Sequence, residues 1–138
     1  MNIFLTFDYE LFFGDNSGSI EKCLLAPTER LLQLTEKYQT RFTFFVDIGY
    51  IIALKKWEPK FLELTEQRIA VEKEIKEMIQ RNCDVQLHIH PHWEKAEYSK
   101  KGWDMKLDGC YKLSDFNQEE AHEIIARYKS EIEGVINR

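Results

Sequence analysis

The sequence predicts an α/β fold built from parallel βα units. Short apolar runs alternate along the chain with longer amphipathic segments, which is the pattern of strands joined by helical crossovers. The run Phe42–Val46 is apolar at every position except Thr43, as expected for a parallel strand that is covered on both faces. The length of 138 residues is enough for one hydrophobic core, so we expect a single domain over residues 1–138.

The first βα unit occupies the amino-terminal part of the chain. Residues 2–8 form an apolar run that predicts a buried strand, and the segment from Gly14 to Gly18 predicts a loop. Pro27 lies where a first-turn proline is tolerated, so we expect a helix that begins there and ends near Tyr38. Three apolar residues of this helix are predicted to share one face: Leu31, Leu34 and Tyr38.

Two further strands and one long helix follow. The second strand is predicted at Phe42–Val46 and the third at Val85–His88. Between them, the segment from Pro59 to Asn82 predicts an amphipathic helix. A polar run around Gln67 is a candidate break within this helix. Five apolar residues of this segment are spaced as on one face of a helix: Leu64, Val71, Ile75, Met78 and Ile79.

The carboxyl-terminal part contains an aperiodic segment and a helix. Residues 93–116 have no clear period and are rich in aromatic residues, which either cover a core or stack on sugar rings. Asn117 and Glu120 have the spacing of a capping box and predict the start of the last helix. A continuous apolar stripe follows them: Ala121, Ile124, Ile125, Tyr128, Ile132 and Val135.

Charge and composition restrict the expected partners and location. A net charge of -5 argues against nucleic acid, for which a basic face would be expected. The first apolar run is short and no basic region precedes it, so neither a signal peptide nor a membrane span is predicted. The three widely spaced cysteines, Cys23, Cys83 and Cys110, suit reduced thiols, and we expect a cytoplasmic protein.

Histidines are clustered at the end of the third predicted strand. His88, His90 and His92 fall within five residues, and imidazole is the commonest protein ligand for divalent transition metals. His88 and His90 share one side of an extended strand, whereas His88 and His92 converge if the backbone curls into a helical turn. Pro91 disfavours helical backbone at His90, so we expect the extended strand to end near this point.

Carboxylates follow the other two strands. If the extended geometry persists, Asp8 and Glu10 lie on the same side, where one completes a metal site and the other acts as a base. The alternative is that the two acids only begin a turn before Gly14 and Asn16, and that the histidines are polar loop residues. Two histidines, one carboxylate and an open position are typical of hydrolytic metal centres. Asp47 follows the second strand at the same predicted sheet edge and is in position to face the site, but a helix cap or turn acid near Gly49 explains it at least as well, so it is not assigned as a ligand.

These segments resemble the NodB-type polysaccharide deacetylase family. The resemblance rests on Thr6–Glu10, Phe42–Asp47 and Asp84–Trp93, in their order and approximate spacing. It implies part of a deformed (β/α) barrel and an enzyme that removes acetyl groups from a carbohydrate with one divalent metal ion, commonly zinc. The histidine-rich second motif is similar to that of enzymes from surface-polysaccharide or O-antigen biosynthesis clusters. The implied substrates are acetylated sugars, sugar nucleotides or oligosaccharides.

The resemblance also implies roles for individual residues. Asp8 corresponds to the catalytic base, and His88 and His92 correspond to a metal-binding pair four positions apart. Tyr9 stands where the family has its metal aspartate, so Glu10 is the expected carboxylate ligand, although Asp8 and Glu10 are able to exchange roles.

Two further residues and one missing region complete this comparison. His90 has no counterpart in the family's common pattern, and it either supports a ligand, contacts substrate, or is itself a ligand in a His-x-His arrangement like that of the amidohydrolases. Trp93 adjoins the ligands and is a candidate contact for a sugar ring. The family's later motifs, which supply an orienting arginine, an acetyl pocket and a general acid, have no counterpart here. We therefore interpret the chain as the amino-terminal part of a longer enzyme.

Three functional hypotheses follow from these residues. The first is a metal-dependent carbohydrate deacetylase, or its metal-binding part. The second is another metal-dependent C–N hydrolase, similar to the allantoinase-like relatives of this scaffold, and the third is a non-catalytic metal-binding module. Because three parallel strands alone leave both outer edges of the sheet unpaired, we also expect self-association.

Overall fold

The sheet that carries the predicted motifs is parallel. A computed structural model describes residues 3–12 and 18–137. Its main sheet contains β1 (Thr6–Tyr9), β2 (Thr43–Asp47) and β3 (Asp84–His88), which pair in parallel in the order β1-β2-β3. The predicted α/β class is therefore confirmed. Among the described residues the sheet does not close into a barrel.

Helices and short elements connect the strands. A π-helical turn at Glu21–Leu25 leads into the first α-helix, and the segment after β3 contains a second, two-stranded antiparallel sheet. The helices of the described residues are α1 (Ala26–Tyr38), α2 (Ile48–Trp57), α3 (Glu63–Gln80) and α4 (Gln118–Ile136). The antiparallel strands are β4 (Glu97–Ser99) and β5 (Gly102–Asp104), and 3-10 turns lie at Pro91–Glu94 and Leu113–Asp115.

One face of the parallel sheet is covered by helices, and the other is more open. Crossovers that all progress in the same direction along a sheet place their helices on one face. Tyr9 and Phe44 are buried on that face, and the Tyr9 hydroxyl donates a 2.7 Å hydrogen bond to Glu74 of α3. Phe45, which points to the opposite face, is only half-buried, and Asp8 on that face is exposed. The expectation that Phe42–Val46 is covered on both faces is met on one face only.

The start of the first strand differs from the prediction. Residues 2–8 were expected to be buried, but β1 begins at Thr6, and Phe4 is 83% exposed. The backbone ladder explains this, because the Leu5 carbonyl accepts a hydrogen bond from Thr43 N–H, at the point where β2 begins. The predicted loop from Gly14 to Gly18 lies outside the described residues except for Gly18.

Helix α1 has the predicted bounds, but the face that it buries is rotated from the predicted one. Thr28, Leu32 and Thr35 are the buried residues of this helix. The Thr35 hydroxyl donates a 2.7 Å hydrogen bond to the Leu32 carbonyl, which satisfies the hydroxyl within the helix and allows it to pack inward. Of the predicted stripe, Leu31 is half-buried against the core, whereas Leu34 and Tyr38 are exposed.

The other two predicted helices agree well with the structure. Helix α3 is continuous through Gln67, and its predicted apolar face is buried except for Ile79. At the start of α4, Asn117 accepts from the Glu120 amide and Glu120 accepts from the Asn117 amide, each at 3.0 Å. The predicted capping box is confirmed.

Helix α2 was not predicted, because its sequence is apolar around most of its circumference and has no amphipathic period.

Aromatic residues attach the segment after β3 to helix α2. The Trp93 ring lies 5.1 Å from that of Tyr50 in α2 and 5.2 Å from that of Trp103 in β5, measured between centroids. Trp103 also contacts Tyr98 of β4, at 4.9 Å. These contacts fold the hairpin over the core and bury Trp93, so the aromatic residues near the histidines cover a core in this structure.

Candidate metal centre

The ends of the three parallel strands bring the candidate residues together. Tyr9 pairs with Val46, and Asp47 pairs with His88. Glu10 therefore follows β1 beside the end of β2, and Asp47 lies between the ends of β1 and β3. Alternation along the strands directs Glu10, Asp47 and His88 to the same, more open face. This is the carboxyl edge at which ligands bind in parallel α/β sheets, as the sequence predicted.

A single carboxylate oxygen contacts two imidazoles at this edge. Glu10 Oε2 lies 2.6 Å from His90 Nε2 and 3.2 Å from His88 Nε2. The potential ligand atoms of Glu10, His88 and His90 all lie within 4.8 Å of one another. All three residues are half-buried, so the cluster is shielded but still reached by solvent.

The local backbone explains why His90 joins His88. Strand β3 ends at His88, but His90 keeps an extended conformation with φ of -112° and ψ of 98°. Residues two apart in extended backbone point to the same side, so both imidazoles face Glu10. Helical turning begins only at Pro91, as the effect of proline on the preceding residue predicts.

His92 lies outside this cluster. It belongs to the 3-10 turn Pro91–Glu94 and is buried, with its ring 5.3 Å from that of His90 and 5.1 Å from that of Trp93. Burial lowers the pKa of His92 to about 4, and the charge of His90 acts in the same direction. The structure thus brings together the His-x-His pair, while the assignment of His92 as a ligand stays a prediction.

The protonation states of Glu10 and His90 are coupled. The hydrogen bond from His90 lowers the pKa of Glu10, against the effect of burial. Burial alone would lower the pKa of His90, but the hydrogen bond to Glu10 and the charge of Asp47 outweigh it, so the pKa is raised. A cation that binds here must displace the proton shared by this pair, so its affinity will depend on pH.

Asp8, the predicted base, lies near the cluster but does not belong to it. It pairs with Phe45 in the β1–β2 ladder and is exposed on the same face as Glu10, two residues away. An exposed carboxylate at this position is accessible to water and to a substrate on the open face. Its role as a base stays a prediction.

Asp47 lies at the same sheet edge, and the sequence did not assign it to the site. It occupies the position before α2, yet its side chain makes no capping hydrogen bond. Only 4% of it is exposed, Oδ2 accepts a 2.5 Å hydrogen bond from Trp93 Nε1, and Oδ1 has no hydrogen-bond partner among the described residues. Burial raises the pKa of Asp47 to about 7, although the charge of His90, the Trp93 bond and the backbone amide of Gly49 oppose this. The signal in the sequence was its place at the end of a strand.

The donor set of the cluster fits a divalent transition metal ion. One carboxylate and two neutral imidazoles are common ligands of zinc in catalytic sites, which leave a further position for water or substrate. The half-buried surroundings of Glu10, His88 and His90 provide such an open side. In contrast, Trp93 is 3% exposed, so this structure leaves little of its ring for a sugar, and its predicted substrate contact stays a prediction.

Comparison with known proteins adds no assignment. No family model, curated protein or solved structure matches the chain. Within the described residues, no helix combines the length and the apolar character that a membrane crossing requires.

Proposed function

We propose that this chain carries the metal centre of a metal-dependent hydrolase that removes acetyl groups from a carbohydrate. The observation that carries the proposal is the convergence of Glu10, His88 and His90 on one point at the carboxyl edge of a parallel sheet. Strand ends of this kind hold reactive side chains rigidly, while the open face admits a substrate. The sugar specificity in this proposal comes from the resemblance of three segments to NodB-type deacetylases.

Each residue has a task in this proposal. Glu10, His88 and His90 would hold one divalent ion, with zinc favoured by the mixed oxygen and nitrogen donors. Such an ion supplies Lewis acidity toward a carbonyl group and toward water. Before it binds, His90 gives up the proton that it shares with Glu10. Asp8, exposed on the same face, accepts a proton onto its carboxylate from the water that attacks the acetyl carbon.

A second C–N hydrolase activity has support from one specific observation. The cluster uses His88 and His90, two positions apart, and not the pair four positions apart that is implied by the deacetylase family. A His-x-His pair at a strand end is similar to the arrangement in amidohydrolases, so cyclic amides or ureides are the alternative substrates. None of the residues named in this proposal is assigned as the proton donor for the departing amine. We therefore expect this chain to bind metal and to turn over substrate slowly.

Metal content is the first test. The protein is purified without chelators, loaded with zinc, and measured by inductively coupled plasma mass spectrometry together with His88→Ala and Glu10→Ala variants. We expect about one ion per chain, lost in both variants, because three ligands are needed to hold a catalytic ion. His122→Ala is the matched control, since His122 is exposed on α4 and should leave the metal content unchanged. Retention of the metal ion in both ligand variants would overturn the proposal.

Substrate assays then separate the two hydrolase reactions. Acetate release from acetylated sugar nucleotides and oligosaccharides supports the deacetylase, and ureide hydrolysis supports the second candidate. Both activities must disappear when the ion is removed by a chelator and return when zinc is added. A stoichiometric ion with neither activity would support a metal-binding module in place of an enzyme.

A further inference from the structure

A buried carboxylate beside the proposed metal centre has one oxygen without a hydrogen bond. Asp47 is nine-tenths or more buried, and its Oδ1 has no hydrogen-bond partner among the described residues. Burying an ionised carboxylate without full compensation is costly, so such groups are normally paired with a cation or fully hydrogen-bonded. The position of Asp47 between the ends of β1 and β3 places it beside Glu10 and His88.

We propose that Asp47 is the second anionic group of the metal centre, and that its buried charge stabilises the bound ion from beside the ligands without coordinating it. This inference rests on the metal centre of the proposed function. The ligand set there contributes one negative charge, from Glu10, and two neutral imidazoles. Asp47 supplies the second negative charge, so that the two carboxylates together balance a divalent ion in partly buried surroundings.

Strand register supports the proximity of Asp47. Asp47 pairs with His88 in the β2–β3 ladder, and Glu10 follows Tyr9, which pairs with Val46, so Asp47 lies between the two ligands. Alternation along the strands directs its side chain to the face that carries Glu10 and His88. Asp47 therefore belongs to the immediate surroundings of the cluster.

Trp93 is the positioning residue for Asp47. Its indole N–H donates to Asp47 Oδ2 at 2.5 Å, which holds the carboxylate in place at the end of β2, beside His88. The close approach of Trp93 depends on Gly49, because a Cβ at that position would lie 2.7 Å from Trp93 Cδ1 and 2.9 Å from the Tyr128 hydroxyl. Contacts with Tyr50 and Trp103 fix the ring from other sides.

Asp47→Asn tests the inference, with zinc affinity measured by competition against a chromogenic chelator. The amide keeps an oxygen for the Trp93 N–H but removes the charge, so we expect affinity to fall about ten- to a hundredfold, as for other groups that support metal ligands. Asp84→Asn is the matched control. Asp84 is exposed at the opposite end of β3, and the same loss of charge there should change affinity less than about twofold.

Trp93→Phe provides a second variant. Phenylalanine keeps an aromatic ring but cannot donate to Asp47, so zinc affinity should fall, by less than in Asp47→Asn. The visible absorption spectrum of the cobalt-loaded protein reports the surroundings of the ion, and we expect it to change in both variants and not in Asp84→Asn. A loss of stability alone would not change that spectrum.

The outcomes are distinguishable. If the unaltered protein binds neither zinc nor cobalt, the metal centre itself is wrong and the inference falls with it. If it binds both ions, and Asp47→Asn binds them as tightly and with the same cobalt spectrum, the role of Asp47 is wrong and the metal centre stands. Equal weakening in Asp47→Asn and Asp84→Asn would also overturn the inference, because it would reflect net charge and not position.

Discussion

Glu10 Oε2 and His90 Nε2 lie 2.6 Å apart although 80 positions separate the two residues in the chain. This contact joins the first strand to the residues beyond the third, across the intervening end of β2. It also sets the protonation of both partners, since the bond lowers the pKa of Glu10 and raises that of His90. The chemistry of this edge therefore depends on correct pairing of all three strands.

Metal affinity should depend on pH through His90. Its pKa is raised above 6.5, so the imidazole is protonated below that value and cannot bind a cation. We expect zinc affinity to rise with pH by up to about tenfold per pH unit while this proton is displaced, and to level off above the pKa of His90. Chelator competition at a series of pH values measures this. An affinity that does not change with pH would contradict the coupling.

The two alternative histidine pairs give opposite results on substitution. If the observed cluster holds the ion, His90→Ala should lose zinc, whereas His92→Ala should retain it. The reverse pattern would support the pair four positions apart that the family resemblance implies. His92→Ala should also reduce the free energy of unfolding by about 2 kcal/mol, because it leaves a cavity where a buried ring was packed. Metal content and denaturant unfolding measure the two effects separately.

Glu74→Gln should stabilise the protein at alkaline pH. Burial raises the pKa of Glu74 to about 7, against the effect of the Tyr9 hydrogen bond, so the folded state disfavours the ionised form. Folding therefore becomes less favourable as pH rises from 4.5 toward 7, while the carboxyl is ionised only in the unfolded chain. The amide still accepts from Tyr9 without this cost, so we expect a gain of about 1–3 kcal/mol above pH 7 and none in acid.

Denaturant unfolding at two pH values tests this prediction. Glu66→Gln is the matched control, because Glu66 is exposed on the same helix and its substitution should not change the pH dependence. If Glu74→Gln destabilises the protein equally at both pH values, burial does not disfavour the ionised form of Glu74 in the folded state.

Gly49→Ala should destabilise the protein and displace Trp93. The added methyl would lie 2.7 Å from Trp93 Cδ1 and 2.9 Å from the Tyr128 hydroxyl, which is too close for either contact. Overpacking of this kind costs about 1–3 kcal/mol of unfolding free energy. Denaturation measures the loss, and tryptophan fluorescence reports the movement of the ring. Unchanged stability and fluorescence would mean that the packing around Trp93 adjusts freely.

Self-association should depend on the β1 edge of the sheet. Strand β1 has β2 on one side only among the described residues, and Phe4, just before it, is 83% exposed. Open edges next to apolar residues promote pairing between chains. We expect light scattering to detect association that increases with concentration and is reduced by Phe4→Lys. A monodisperse monomer at all concentrations would contradict this.

Local sequence signals predicted several elements well. The capping box at Asn117 and the period of α3 depend on residues three or four positions apart, and both appear in the structure as expected. Signals that depend on packing partners failed. The inward face of α1 was predicted wrongly because apolar Leu34 and Tyr38 are exposed, while polar Thr28 and Thr35 are buried beside Leu32. Helix α2 was missed because an apolar helix in a core has no amphipathic period.

For the candidate site, the sequence by itself determined the types of ligand and their placement after strands. Histidines after β3 and carboxylates after β1 follow from the order of residues, and Pro91 limits where helical turning begins. Only the tertiary structure decided which groups meet. Strand register brings Glu10 to His88 and His90, and packing of Trp93 against Gly49 holds Asp47 beside them. These contacts join residues far apart in the chain, and no local pattern of spacing specifies such a distance.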